Sequence, residues 1–285
     1  MNNPDGLDEI GQWSVDKLRI LQAYSKEYAA ILSNQRTNTG ARLFKTGYID
    51  GFAGAGKHLH KSSREEIPGS PAIALATPGF DEFHFVDLDD ARVGQLQALC
   101  RGHANAHVYS GDCNAILLDT IFPKFPFKQY RRALCFIDPY GMHVDWKVLE
   151  AAGKSGSIEI FLNFPVADIN RNAKRARLED ISPDGRARMT RLWGNEDWHA
   201  VMFKPSPQMA FDLGGGAMTE TEKTGNDTLV EAFRERLKTV AGFKFVPHPV
   251  AMKNSIGAIV YYLFFAGHNE TGERIAKHIM KKYRR

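Results

Sequence analysis

Four aspartates stand at or just after the ends of apolar, strand-like segments, where side chains could bind a polar ligand. They are Asp50, Asp87, Asp112 and Asp138. A single aspartate after a strand is ordinary turn chemistry, but four in register are hard to explain in that way. Because the carboxyl ends of parallel strands meet at one edge of a sheet, we expect these carboxylates to share one rim.

A glycine-rich loop, YIDGFAGAGKH, surrounds the first of these aspartates. Glycines after a strand let the backbone turn sharply and approach a ligand closely. One interpretation is a phosphate-binding loop, because Gly51, Gly56 and Lys57 have the spacing G-x-x-x-x-G-K. Against it, His58 stands where a Ser or Thr should hold magnesium, and no apolar helix follows directly. A dinucleotide site is also weakly supported, because the glycines do not follow the order G-x-G-x-x-G.

A nucleoside cofactor is the third interpretation, and it uses the aspartates together with the glycines. Asp50 ends the first strand just before the loop, and Asp87 ends the second, where a carboxylate can accept both hydroxyls of a ribose. Asp112 follows the third strand, where it can accept the amino group of adenine. We favour this interpretation over the other two.

Length and composition restrict the class of protein. The chain has 285 residues, 43% hydrophobic and 25% charged, which excludes collagen-like, disordered and disulfide-scaffold classes. No apolar run reaches about 18 residues and the N-terminus is acidic, so we expect no membrane partner and no export signal. Cys100, Cys113 and Cys135 lack C-x-x-C spacing, which indicates reduced, buried thiols in a cytoplasmic protein without a metal site. The net charge of +4 permits a polyanionic partner without demanding one.

The elements that position these residues alternate between strands and helices, which predicts a parallel α/β sheet covered on both faces. The strand-like runs are 48–50, 83–87, 106–109, 134–138 and 158–164, with helical segments 71–76, 91–101, 114–122 and 146–153 between them. An amphipathic helix, 15–34, precedes the sheet, with Ser14 as its expected cap.

The second half of the chain begins with a change in composition. Residues 168–223 predict a mostly helical, basic insertion, in which Trp193 and Trp198 could stack on bases, although helical spacing favours a solvated face. Its cations include Arg171, Lys174, Arg175, Arg177, Arg186, Arg188 and Arg191. The pattern then predicts a helix, 226–241, two antiparallel strands, 243–246 and 256–266, and a basic terminal helix, 272–285.

Several of these segments, taken together, resemble known motifs. DGFAGAG, VDLD, GDCN and FIDPYG, in this order, resemble motifs I to IV of class I S-adenosylmethionine-dependent methyltransferases. More narrowly, YIDGFAGAGKH, GSPAIAL, FIDPYG, FLNFP and GAIVYYLFFAGHNETGERIAKHIMKK are similar to the three-Cys-motif partner family (TcmP), over nearly the whole chain. The resemblance implies a Rossmann-like class I methyltransferase fold, with a mostly parallel seven-stranded sheet whose last strand is antiparallel. It also implies S-adenosylmethionine as cofactor and a protein partner of the three-Cys-motif type.

The resemblance further implies which residues bind the cofactor. The methionine half would lie over the glycine loop, the ribose against Asp87, and the adenine between Leu88 and Asp112. Plain packing of Phe52 and Leu88 and a helix-capping role for Asp87 are the alternatives. The full set is Asp50, Gly51, Phe52, Ala53, Gly54, Gly56, Asp87, Leu88, Asp112 and Cys113.

The segment Asp138-Pro139-Tyr140-Gly141 resembles the D-P-P-Y signature of amino-group methyltransferases, without its second proline. In that signature the aspartate and a backbone carbonyl accept hydrogen bonds from the target amine, and the aromatic ring stacks on the base. We therefore expect Asp138, Pro139 and Tyr140 to be catalytic, with a strand-ending turn that shapes the pocket floor as the alternative. The expected substrate contacts are Lys57, His58, Asn163, Phe164 and Arg171.

The resulting hypothesis is a methyltransferase of the TcmP type that acts on nucleic acid or another macromolecule. The alternatives are a non-catalytic partner or regulatory protein with the same fold and, less favoured, a nucleotide-binding P-loop-like protein. We expect one domain, 1–285, with an N-terminal helical segment (1–40), a cofactor-binding half (41–165), the insertion (168–223) and the closing helix and strands (224–285).

Overall fold

The computed structural model describes residues 7–173, 178–205 and 221–284. The helices in these ranges are α1 (Gln12–Asn34), α2 (Ser70–Leu75), α3 (Asp90–Leu99), α4 (Cys113–Ile116), α5 (Trp146–Ser155), α6 (Val166–Ala173), α7 (Pro183–Trp193), α8 (Trp198–Met202), α9 (Asn226–Thr239) and α10 (Glu270–Lys281). The strands are β1 (Glu9–Ile10), β2 (Lys45–Asp50), β3 (Lys57–His60), β4 (Glu66–Pro68), β5 (Glu82–Asp87), β6 (Ala106–Ser110), β7 (Arg131–Ile137), β8 (Ile158–Phe164), β9 (Phe203–Pro205), β10 (Thr221–Lys223), β11 (Val250–Lys253) and β12 (Ile259–Ala266).

A seven-stranded sheet with the order β11-β12-β8-β7-β2-β5-β6 forms the centre of the fold. Strand β12 is antiparallel to both of its neighbours, and the remaining neighbouring pairs are parallel. The chain adds strands on one side of β2 and then crosses to β7 on the other side. Open α/β sheets bind ligands at such a switch point, outside the carboxyl ends of the strands. The predicted Rossmann-like fold with one reversed strand is therefore confirmed.

Helices cover both faces of the sheet and create two hydrophobic cores. Alternate side chains of a strand point to opposite faces, so Leu162 and Phe164 of β8 join one core while Phe161 joins the other. Burial on both faces explains why the central strands are continuous apolar runs and do not alternate with polar residues.

Helix α1 lies across one face and begins earlier than the sequence pattern indicates. Its N-cap is Gly11, and Ser14 lies buried inside the first turn, so the expected Ser14 cap is wrong. The buried stripe of α1 contains Lys17 as well as Leu21 and Tyr24. A lysine on the core-facing side of a helix needs a partner of opposite charge, and Lys17 has one in Asp138.

The closing strands correct a second expectation. Residues 243–246 form no strand beyond a single bridge between Phe245 and Gly267, whereas β11, within the stretch expected to be a turn, pairs with β12. The reversal is made by Asn254, whose side chain accepts from the N–H groups of Ile256 and Ala258. The strand was missed because its apolar alternation extends over only four residues.

The insertion packs into the same core as the sheet. Its helices α6, α7 and α8 are followed by a two-stranded ribbon, β9 with β10, that the sequence did not predict. Trp193 and Trp198 are fully buried, with Trp193 against Phe233 of α9, so the expectation that they could stack on bases is wrong. Lys174, Arg175 and Arg177 lie outside the described residues. The domain boundaries stay a prediction.

Candidate functional site

A pocket of about 690 Å³ opens at the carboxyl ends of β2, β5 and β6. We call it the carboxyl-edge pocket. It brings together six predicted cofactor residues from three separate strand ends: Gly51, Phe52, Asp87, Leu88, Asp112 and Cys113. Tyr140 and Asn114 also line it. Asp50, the last residue of β2, and Ala53, Gly54 and Gly56 of the glycine loop are not part of the lining.

Asp87 connects the end of β5 to the glycine loop. Its Oδ2 accepts a hydrogen bond from the N–H of Gly54 at 2.8 Å, and its Oδ1 accepts one from the N–H of Asp89 at 2.9 Å. An ionised carboxylate has about four acceptor positions. Asp87 therefore fixes the loop and retains positions for a ligand, on a carboxylate whose partners are neutral backbone groups.

The glycines of the loop are required for different physical reasons. Gly54 has a φ of +63°, which side-chain-bearing residues rarely adopt, and a Cβ there would meet no protein atom within 4 Å. Gly51 has an ordinary φ, but its Cβ would lie 2.8 Å from the Sγ of Cys113. At Gly56, a Cβ would lie 2.5 Å from Leu99. The loop thus packs tightly on the protein at two glycines and faces open space at the third.

Asp50 lies beneath the loop and its side chain is completely buried. Its Oδ1 accepts a hydrogen bond from the N–H of Phe52 at 3.4 Å. Burial raises the pKa of the Asp50 carboxyl to about 7, against the opposing effect of the Ser70 hydroxyl, and the nearby Asp138 carboxylate adds to the rise. Its geometry corrects the expectation of direct cofactor contact, because Asp50 supports the loop from below.

Asp138 is held between two residues from distant parts of the chain. Its Oδ2 forms an ion pair with Nζ of Lys17, and its Oδ1 accepts a hydrogen bond from Nδ2 of Asn163 at 2.7 Å. The Lys17 ammonium also lies 5.4 Å from the ring centre of Trp13 and 5.7 Å from that of Phe136. We call Lys17, Asp138 and Asn163 the acceptor corner. Sequence reasoning missed Lys17, although its place on the buried stripe of α1 was a signal.

Tyr140 bridges two other elements at the mouth of the pocket. Its hydroxyl donates to Oδ2 of Asp8 at 2.8 Å and accepts from Nη1 of Arg92, also at 2.8 Å. The guanidinium of Arg92 lies 5.1 Å from the ring centre and pairs with Asp8 at 3.1 Å. Partial burial, followed by the Asp8 hydrogen bond, raises the pKa of Tyr140. Pro139, its predicted catalytic neighbour, is buried.

The residues predicted to contact the substrate are dispersed. Lys57 lies in β3 and pairs with Glu66 of β4 at 3.0 Å. A strand thus follows the glycine loop where a phosphate-binding loop would begin a helix, which argues against that interpretation. His58 in the same strand is largely buried, and burial lowers its pKa.

Two further residues on the predicted substrate side are placed elsewhere. Phe164 is fully buried, with its ring 4.4 Å from that of Phe233, which contradicts its expected contact with a substrate. Arg171 is 77% exposed and pairs with Asp168 at 3.3 Å. Asn163, in contrast, donates a hydrogen bond to the predicted catalytic side chain of Asp138.

Other classes of site receive no support within ranges 7–173, 178–205 and 221–284. Histidine, cysteine, aspartate and glutamate side chains form no group of three or more there that could hold a metal ion. The helices of these ranges include none that is long and apolar enough to cross a membrane. Cys100, Cys113 and Cys135 are buried free thiols, as the sequence predicts.

Comparisons with known proteins give neighbours in fold. Neither a protein-family model nor a curated protein matches the sequence. Protein LPL1258 from Legionella pneumophila is 11% identical, with 94% of this chain and 92% of that chain covered and a TM-score of 0.49. A putative methyltransferase from Thermobifida fusca is 12% identical over 90% and 81% of the two chains, with a TM-score of 0.44. The N-terminal domain of EvdMO1 with SAH bound is 12% identical over 87% and 80%, with a TM-score of 0.39. Because these identities and TM-scores are low, the sheet topology and the pocket itself must support any functional assignment.

Proposed function

We propose that the protein is an S-adenosylmethionine-dependent methyltransferase whose cofactor binds in the carboxyl-edge pocket. One observation carries the proposal: the glycine loop, Asp87 and Asp112 line a single hollow at the switch point of a sheet whose β12 is reversed. The finer assignment to the TcmP type, with nucleic acid or another macromolecule as methyl acceptor, rests on the sequence motifs.

The residues of the pocket fit an adenosine. Asp87 has acceptor positions left for ribose hydroxyls after binding two backbone N–H groups. Asp112 is exposed, and its Oδ1 accepts from Asn114, which leaves Oδ2 for an amino group. Leu88 is 75% exposed at the pocket and offers an apolar surface to a planar base.

The acceptor corner determines what the chain can do with a methyl acceptor. The cofactor, when bound, supplies an electrophilic methyl group, and transfer requires chiefly an aligned and desolvated nucleophile. Lys17 and Asn163 keep the Asp138 carboxylate in one orientation, with its side chain 26% exposed. A substrate N–H or O–H could then be oriented by the acceptor positions of Asp138 that these partners leave open.

The same ion pair favours a second candidate function. Lys17 compensates the charge of Asp138, so an arriving donor meets a weaker acceptor than a free carboxylate. A protein that binds the cofactor but transfers no methyl group, and serves as a partner or regulator, would have this arrangement. Binding and transfer must therefore be measured separately.

Calorimetric titration with S-adenosylhomocysteine tests the proposal. We expect micromolar binding that Asp87→Ala weakens about 100-fold, because hydrogen bonds to a charged group are each worth about 1.5–3 kcal/mol. Asp87→Asn retains an acceptor for Gly54 but loses the charge, so we expect an intermediate loss. Asp184→Ala removes an exposed carboxylate that does not line the pocket and serves as the control. Unchanged affinity in Asp87→Ala would reject the pocket assignment.

Transfer of a radiolabelled methyl group to RNA, DNA and protein fractions then separates the two candidates. An enzyme labels one fraction, and Asp138→Ala abolishes the label while S-adenosylhomocysteine still binds. Binding without label in all three fractions supports the non-catalytic candidate. Magnesium-dependent ATP binding that Lys57→Ala removes would instead restore the phosphate-loop interpretation.

A further inference from the structure

Helices α1 and α10 pack side by side and leave a groove of about 690 Å³ on the protein surface. Its charged lining consists of four permanent cations and one carboxylate, together with His278. The cations are Arg19, Lys26, Arg274 and Lys282, and the carboxylate is Glu27. The lining of the groove thus carries a formal charge of +3.

The cations of this groove are largely without counter-ions. Lys26, Arg274 and Lys282 are exposed and form no ion pair with other residues in the described part of the chain. Arg19 lies 3.6 Å from Asp16, with its side chain 60% exposed. An exposed pair of this kind is worth less than about 1 kcal/mol and is readily exchanged for another anion.

The basic insertion differs in this respect. Three of its four described arginines lie near carboxylates of the same protein: Arg171 pairs with Asp168, Arg188 with Asp184 at 3.1 Å, and Arg191 lies 3.9 Å from Asp145. The fourth, Arg186, donates to the carbonyl oxygen of Ile181. Composition alone favours the insertion as a phosphate-binding surface. By the same measure, and within the described residues, one of the four cations of the groove has a carboxylate within 4 Å, against three of the four described arginines of the insertion, which favours the groove between α1 and α10.

We infer that the groove between α1 and α10 binds the phosphate backbone of a nucleic acid. This names the substrate class of the proposed methyltransferase and rests on that proposed function. The cations are spread along the two helices: Arg19 and Lys26 are about 10 Å apart along α1, and Arg274 and Lys282 about 12 Å apart along the axis of α10. A site for one phosphate would converge on a point, whereas two rows of cations match an extended polyanion.

The groove lies on the solvent side of α1, whereas the acceptor corner lies on its buried side. Arg19 is exposed, while Lys17, two residues earlier, is buried, because residues two apart on a helix do not share a face. A second groove, lined by Trp13, Lys61 and Tyr283, borders the N-terminal end of α1.

A membrane surface is the less suitable polyanion. Helices that lie on a membrane insert a row of large apolar side chains. The large exposed hydrophobic residues in the described ranges are Leu88, Phe127, Tyr130, Tyr140, Val240 and Ile256. None of these lines the groove.

Fluorescence anisotropy with labelled 20-nucleotide RNA, single-stranded DNA and duplex DNA tests this inference. The groove variant is Lys26→Glu with Arg274→Glu. We expect the Kd of this variant to rise at least tenfold at 100 mM salt. We also expect a smaller salt dependence, because two phosphate contacts are lost: the slope of log K against log salt should be reduced by about 1.4 for single strands. Lys128→Glu with Lys154→Glu makes the same change of charge outside the groove and should leave Kd within twofold. The probe that binds most tightly identifies the kind of nucleic acid.

Three results would overturn the inference. The first is that the groove variant binds the oligonucleotides as tightly as the unmodified protein does. The second is that binding is lost only in the variant Arg171→Glu with Arg191→Glu. The third is that the protein binds vesicles with anionic lipid but none of the oligonucleotides. Titration with S-adenosylhomocysteine in the same variants keeps the two proposals apart. Oligonucleotide binding without S-adenosylhomocysteine binding retains the groove and rejects the cofactor pocket, and the opposite result rejects the groove alone.

Discussion

Asp87 and Asp138 stand at the same edge of the sheet with β2 between their strands, yet their surroundings differ. Asp87 bonds to two neutral backbone N–H groups and lines an open pocket. Asp138 is paired with a buried lysine and with Asn163. The charge of Asp87 is therefore available to hydroxyl donors of a ligand, whereas the charge of Asp138 is compensated within the protein.

The comparison shows that the end of a strand determines where a carboxylate lies, whereas the hydrogen-bond and ion-pair partners of the carboxylate determine what it can bind. Asp50 gives a third arrangement on the same edge, because it is buried beneath the loop with a pKa raised to about 7. On the function proposed above, three similar aspartates have different roles: Asp87 as a ligand acceptor, Asp50 as a loop support and Asp138 as an ion-paired residue. The predictions below test these assignments against one another.

The largest effect is expected for Asp50→Asn and depends on pH. The pKa of the Asp50 carboxyl is about 7 in the folded protein, compared with an ordinary value of 3.8. Between these values the folded state holds a proton that the unfolded state has released, so stability falls as pH rises, by at most about 1.4 kcal/mol per pH unit. The stability that the protonated Asp50 carboxyl contributes is fully present below pH 4 and is lost as the pH rises through 7. Asn cannot titrate, so the variant should gain roughly 4 kcal/mol relative to the unmodified protein between pH 4 and 8.

Urea denaturation at half-unit pH steps measures this difference. Burial also raises the pKa of Glu159 to about 7, but Glu159 is present in both proteins and cancels in the comparison. A constant stability difference across the range would show that burial does not raise the pKa of Asp50 in the folded protein.

Lys17→Met should give the next largest effect. Removal of one partner from a buried ion pair costs about 3–5 kcal/mol, and the partial exposure of Asp138 reduces the expected loss to about 2–3 kcal/mol. S-adenosylhomocysteine affinity should change less than threefold, because Lys17 does not line the carboxyl-edge pocket. Lys17→Met combined with Asp138→Asn should recover part of the stability, which a double-mutant cycle by urea denaturation measures. A large loss of affinity with normal stability would place Lys17 in the cofactor site instead.

The sequence could predict those parts of the site that depend on local pattern. Apolar runs located the central strands, and their common edge placed Asp87 and Asp112 in one pocket. The pair of Lys17 and Asp138 spans 121 residues, and no local spacing encodes such a contact. The burial of Phe164 could not be predicted from local pattern either. Whether this side chain at a strand end faces solvent depends on the packing of α9 against it.

Gly54→Ala should show a smaller effect that separates strain from ligand contact. A non-glycine residue in the left-handed region costs about 1–2 kcal/mol, and the φ of Gly54 is +63°. Gly102 has a φ of +89° and also has nothing within 4 Å of a Cβ, so Gly102→Ala is a matched control outside the pocket. Both variants should lose similar stability in thermal denaturation, but only Gly54→Ala should weaken S-adenosylhomocysteine binding. Equal affinity in both would mean that the loop does not approach the cofactor.

The smallest effect is expected for Tyr140→Phe. The hydroxyl binds Asp8 and Arg92 at an exposed position, and these two partners keep their own ion pair at 3.1 Å when it is removed. We therefore expect a stability loss below about 1 kcal/mol and less than a threefold change in S-adenosylhomocysteine affinity. Tyr140→Ala also removes the ring, and if the ring positions an acceptor, methyl transfer should fall in this variant and not in Tyr140→Phe. Loss of cofactor binding in Tyr140→Phe would instead show that the bridge from Tyr140 to Asp8 maintains the shape of the pocket, so that the edge near Asp138 serves the cofactor as much as the edge near Asp87 does.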